Sequence, residues 1–118
     1  MGESAMNPDL QELFDTLESM AAKLSRQLGE AATIDEAQKI LGQIMEVNHR
    51  QTRTGALLFT QKTSAIAKAM DKVRSQTNAA NQAIAKIDDL QKFLKTVSSF
   101  LALVDKVIDT ADLVKPGL

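Results

Sequence analysis

Apolar residues near the start of the chain recur every three and four positions. Leu10, Leu13, Leu17, Met20 and Leu24 form the row, and Phe14, Ala21 and Leu28 widen it. That spacing is one buried face of an α-helix. Asn7 suits the N-cap, and Pro8 suits the first helical position, where its missing N–H is no loss. Gly29 follows the last apolar residue as a stop, so the pattern predicts a helix over about 8–28. Thr33-Ile34-Asp35-Glu36 then reads as a capping box. It opens a second stripe of Ala37, Ile40, Leu41, Ile44, Met45 and Val47.

The apolar pattern stops at NHRQTRTG, residues 48–55, and resumes at Ala56. From Phe59 it recurs in sevens: Ile66, Val73, Ala80, Ile87, Leu94, Leu101 and Ile108. Ala83, Leu90, Val97, Val104 and Ala111 make a second seam. Heptads of this kind mean helices lying along helices. Unbroken phase through VRSQTNAANQAIAKI, residues 73–87, favours one continuous helix. Length opposes it: residues 34–114 would make a rod of roughly 120 Å at 1.5 Å per residue, far too long for the first helix to cover. Thr77, Asn78 and Asn81 have side chains that compete with the helical backbone, so a hairpin tip is expected near 76–80.

The sequence thus predicts an all-α fold in a single helical domain over 1–118. A long antiparallel, coiled-coil-like hairpin (about 34–76 and 80–114) carries a shorter N-terminal helix. Residues 1–6 read as a disordered start or an appended remnant. Gly55 is a second soft point, either a close backbone approach or hinge, or a kink or loop within 48–55. A loop there gives the alternative four-helix bundle, with helices of about 21, 20, 21 and 35 residues.

Composition agrees with helix. Hydrophobic residues are 44% and charged residues 25% of the chain, but aromatics are only 3%. With two prolines and five glycines, little breaks a helix or favours a strand. There is no cysteine, which removes disulfides and thiolate metal sites. Net charge is −1, unevenly spread. Residues 1–36 hold eight acids against two bases, and residues 37–74 hold seven bases against two acids. Near-neutrality of the whole favours pairing of these blocks within the molecule. A phosphate-binding surface is the lesser reading. Arg50, Arg53 and Lys62 lack a recognition-helix spacing, and the block holds no stacking aromatic beyond Phe59.

Chemistry is sparse. His49 is the only histidine and has no carboxylate neighbour in NHRQ to orient it as a base. Asp88-Asp89 point about 100° apart on a helix and read as a solvated face. No phosphate loop, dinucleotide fingerprint, zinc-protease or nucleophile-elbow motif occurs. The expectation is no enzyme, with no catalytic residue, no cofactor and no metal.

Residues 93–114 carry more apolar surface than a two-helix seam uses, with Phe93, Phe100 and Val107 forming an extra row in sevens. That row can receive the first helix, bind a partner helix or second copy, or enter a membrane interface. The expected function is protein–protein interaction: a small helical adaptor, chaperone or assembly subunit. Its expected contact face is Phe93, Val97, Phe100, Leu103, Val104 and Val107. The alternative is a membrane-active protein of the pore-forming type, using 93–114. No Trp or Tyr is present to anchor it, and charges bracket the segment, so membrane is the minority reading. The charge-free apolar run from Thr96 to Val104 is about half a bilayer span. With no signal peptide in the sequence, the default expectation is cytoplasmic, and non-classical secretion is left open.

Overall fold

A computed structural model describes residues 6–114; the start predicted as disordered, 1–6, lies outside them except for Met6. They form four helices: α1 (Pro8–Gly29), α2 (Ile34–Gly55), α3 (Ser64–Ala85) and α4 (Leu90–Asp112). The fold is all-α, in its four-helix form. Each start has a chemical cause. Asn7 Oδ1 accepts from the backbone N–H of Asp9 and Leu10 at 2.9 and 3.2 Å. Thr33 and Thr63 hydroxyls accept from the N–H of Glu36 and Ile66, both at 3.1 Å. Asp89 Oδ1 accepts from the N–H of Lys92 at 3.0 Å. These bonds satisfy backbone donors that a helix cannot pair internally.

The first helix falls where its pattern put it, and both later breaks move. The expected tip near 76–80 lies inside α3. There Thr77 turns its hydroxyl back onto the Val73 carbonyl at 2.8 Å, a bond made within the helix. Asn78 faces solvent and Ala80 is buried, so the polar stretch is one wet side of a helix that is dry on the other. The 48–55 segment is also helical. Its polarity is absorbed by a buried Thr54, bonded to the Arg50 carbonyl at 2.7 Å, and by Arg50's own ion pairs. The chain breaks instead at 56–63 and 86–89, each just before a capping residue's helix. Asp89, expected on a solvated face, is one of those caps.

α1 packs on α2, and α3 on α4, as hairpins with four-residue turns at 30–33 and 86–89. Between hairpins, α1 lies beside α3 and α2 beside α4. Both of these pairs run parallel. Gln27 near the end of α1 donates to the Ala85 carbonyl at the end of α3, at 3.2 Å. Arg50 and Arg53, late in α2, reach Asp105 and Asp109, late in α4. Consecutive α2 and α3 therefore sit across the diagonal, joined by the 56–63 crossover. Asn7 pins that crossover. Its backbone N–H donates to Leu58 O at 2.7 Å, and its amide Nδ2 to the carbonyls of Thr60 (3.2 Å) and Gln61 (3.4 Å). The residue is almost wholly buried.

The element boundaries repeat. α3 begins 56 residues after α1 (8 to 64), and α4 begins 56 residues after α2 (34 to 90). With the parallel pairing, this makes the second hairpin a translated copy of the first in outline.

The core runs the length of the bundle. Leu10, Leu13, Leu17, Met20 and Leu24 of α1 meet Ile40, Ile44 and Val47 of α2, Ile66, Met70, Val73 and Ile84 of α3, and the broad face of α4. Gly55 ends α2 beside the Phe14 ring, where a Cβ would stand 3.2 Å from Phe14 Cε2. What comes close is a ring and not a second backbone, and the loop expected within 48–55 begins only after Gly55.

Candidate functional site

The expected contact face on α4 is interior. Phe93, Val97, Phe100, Val104 and Val107 are buried in the core of the chain itself, and Leu103 is half-buried at its edge. The extra row has a structural use inside the chain, in the core that α1 also lines. α4 packs against both α3 and α2, so it needs two seams. α1 sits on the far diagonal. The closed bundle therefore offers no partner or membrane these five side chains. Among the described residues, no helix is long and apolar enough to cross a membrane.

Four of the seven bases in the basic block, Lys39, Arg50, Arg53 and Arg74, form ion pairs among the described residues. Arg50 grips Asp105 through Nε–Oδ1 at 2.8 Å and Nη2–Oδ2 at 3.0 Å, and its Nη1 reaches Glu46 at 2.8 Å. Burial of the guanidinium works against its charge. The hydrogen bonds to Asp105 and Glu46 outweigh that, and its pKa rises. Arg74 binds Glu12 through Nε at 3.0 and 3.1 Å, Asp9 through Nη2 at 2.7 Å and Asp71 through Nη1 at 2.7 Å. The hydrogen bonds it donates to Glu12 and Asp9 raise its pKa as well. Of the basic middle, Arg74 alone meets the acidic first helix; Arg50 and Arg53 turn instead to Asp105 and Asp109 on α4. A phosphate at Arg50 would have to displace Asp105.

His49 is exposed on α2 and makes no side-chain hydrogen bond among the described residues. Among those residues no group of three or more His, Cys, Asp or Glu is placed to hold a metal ion. The grooves along the bundle are open and shallow; one lies between α1 and α3, lined by Gln11, Asp15, Ser19 and Asn81.

Apolar surface lies elsewhere. Ile34, Leu41 and Met45 are 78%, 46% and 64% exposed, and they stand in one row along α2. The row is separated from the core row of Ile40, Ile44 and Val47 by roughly 120° around the helix at 100° per residue. Sequence reasoning merged the two rows. The signal was there in the width of the stripe, which exceeds what one seam needs. Phe59 and Leu113, also exposed, lie at the end of the bundle that carries the crossover. Far around α3 and α4 from the first hairpin, Lys68, Lys72 and Lys106 line a groove floored by Ala65, Ala69 and Leu103.

The fold and its faces define an all-α bundle of two stacked helical hairpins with one apolar row left open. Comparison of the chain with known protein families, curated proteins and solved structures finds no match.

Proposed function

We propose that this chain is a non-enzymatic protein–protein interaction module, a small helical adaptor, chaperone or assembly subunit whose contact face is the outer row of α2. One observation carries the reading. Ile34, Leu41 and Met45 stand exposed in register on a helix whose other large apolar side chains are buried. Single exposed apolar residues are ordinary on a protein surface, but a row at helical spacing is a face built for contact. Full burial of each such side chain contributes roughly 1.5–3 kcal/mol. The contact face thus shifts from α4 to α2, while the class of function stays as the sequence suggested.

Photo-crosslinking in cells tests this. A crosslinking residue at position 41 or 45 is expected to give discrete protein adducts. The same residue at the exposed position 75 is expected to give none. Equal labelling at all three positions, or none at 41 and 45, overturns the reading.

A further inference from the structure

We infer that the occupant of the α2 row is a second copy of this chain, seated through the far flank of its α3–α4 hairpin, so that copies stack head to tail. This rests on the interaction reading above and adds the partner.

The packing inside one chain supplies the template. The second hairpin follows the first by translation, with α3 parallel to α1 and α4 parallel to α2. A two-fold arrangement would close on itself. A translated stack does not, and it leaves one open flank on each hairpin.

The α2 row occupies the first of these flanks. Arg50 marks the side of α2 that meets α4, through Asp105. At 100° per residue, Leu41 stands about 180° from Arg50, and Ile34 and Met45 stand about 160° and 140° from it. The apolar row is therefore where another helix would lie if the α2–α4 pairing were continued one step outward.

The second flank is its complement. Leu103 stands about 160° around α4 from Asp105. It floors the groove with Ala65 and Ala69. Lys68, Lys72 and Lys106 edge that groove, and none of them forms an ion pair among the described residues. On the first hairpin the cations all lie on the sides of α1 and α2 nearer the second hairpin. Lys23 and Arg26 lie within about 40° of Glu12, the residue that meets α3, and Lys39 and Arg53 lie within about 60° of Arg50. The outer flank of α1–α2 presents the apolar row, polar neighbours and exposed Glu18, with no cation to oppose the lysines. In the register set by the 56-residue step, Met45 of one copy comes level with Leu103 of the next, and Glu18 comes level with Lys72, so an apolar side chain meets an apolar one and a carboxylate faces ammonium groups. The two flanks differ, so the contact is heterologous and each copy can both give and receive.

Sedimentation and light scattering of the full chain test this with two variants, Leu41→Glu/Met45→Glu on the row and Lys72→Glu/Lys106→Glu on the groove. The substituted positions are exposed or edge the groove, and thermal melts check that each variant stays folded. The wild type is expected to grow in mass beyond a dimer as concentration rises, and to dissociate with added salt. Each variant alone is expected to remain monomeric, with association weakened at least tenfold. Mixed, they are expected to form a dimer and stop, because one competent row and one competent groove remain.

A wild type that stays monomeric at every concentration overturns the inference. So does a groove variant that dimerises by itself, which would mean two α2 rows meeting face to face. So does a groove that binds a nucleic acid while the chain remains monomeric. If the chain is monomeric but position 45 still crosslinks to other proteins, only the second-copy inference falls. If it captures nothing, the interaction reading falls with it.

Discussion

Arg50 and Asp105, 55 residues apart in sequence, hold each other by two parallel hydrogen bonds of 2.8 and 3.0 Å, and so clamp α2 to α4. The fork-to-carboxylate geometry makes each group the other's best partner. Asp105→Asn leaves a partly buried guanidinium with a poorer acceptor, and is expected to cost about 1–2 kcal/mol in urea denaturation. Arg50→Met combined with Asp105→Leu is expected to recover much of that loss, because neither charge is then left without its partner. A double variant no more stable than the single one would show that the clamp does more than satisfy its own charges.

The Arg74 cluster sets a pH dependence. Its folded pKa lies above its unfolded value, so its stabilisation is complete below the unfolded value and is lost only as pH climbs through the folded one. That window is strongly alkaline, and neutral pH is untouched. Arg74→Lys brings the loss to lower pH, since lysine titrates near about 10.4. Urea midpoints of the two proteins are expected to run parallel near neutrality and to separate above about pH 10. Parallel curves throughout would mean that Asp9 and Glu12 draw nothing from position 74.

Asn7 does two tasks with one amide. Its oxygen caps α1, and its nitrogen holds the crossover carbonyls of Thr60 and Gln61. Asp caps a helix about as well as Asn. Asn7→Asp keeps the cap, but it sets a carboxylate against two carbonyl oxygens in a buried place. The expected loss is about 1–3 kcal/mol, comparable to that of Asn7→Ala. Thermal melts that rank Asn7→Asp with the wild type would show that the crossover bonds add nothing.

Asn78 decides between a turn and a helix at 76–80. At a hairpin tip, proline would be tolerated there. In the interior of α3 it removes a backbone hydrogen bond and clashes with the preceding turn, at about 3 kcal/mol or more. Asn78→Pro is expected to unfold at markedly lower urea than Asn78→Ala. Equal midpoints would return the tip to 76–80.

The first helix was legible because its signals agree: Asn7 and Pro8 mark the start, four leucines and Met20 make an unbroken apolar row, and Gly29, read as the stop, is its last residue, with Glu30 as the cap. The second half misled because phase in sevens from Phe59 to Ile108 survives two real breaks. Phe59 ends up exposed in the crossover, and Ile87 sits in a turn. Polar residues drew the breaks to the wrong places, since a surface helix can be as polar as a loop on its wet side. Thr63 and Asp89 were the better markers, each a capping residue directly ahead of an apolar stripe. The contact face failed for a different reason. Sequence gives the width of an apolar face but not how many neighbours share it. On α4 the width served two helices of the same chain; on α2 the extra width was left uncovered.

The parallel pairing of α1 with α3 and α2 with α4 also orders the folding reaction. Within each hairpin the turn is four residues, so zipping needs only a small loop closure. The bonds that unite the halves join residues as far apart as 65 positions, as Arg74 and Asp9 do. Docking therefore comes last. In chevron measurements, substitutions inside a hairpin seam, such as Leu17→Ala, are expected to slow refolding, and those at the clamp, such as Asp105→Asn, to hasten unfolding while leaving the refolding limb nearly where it was.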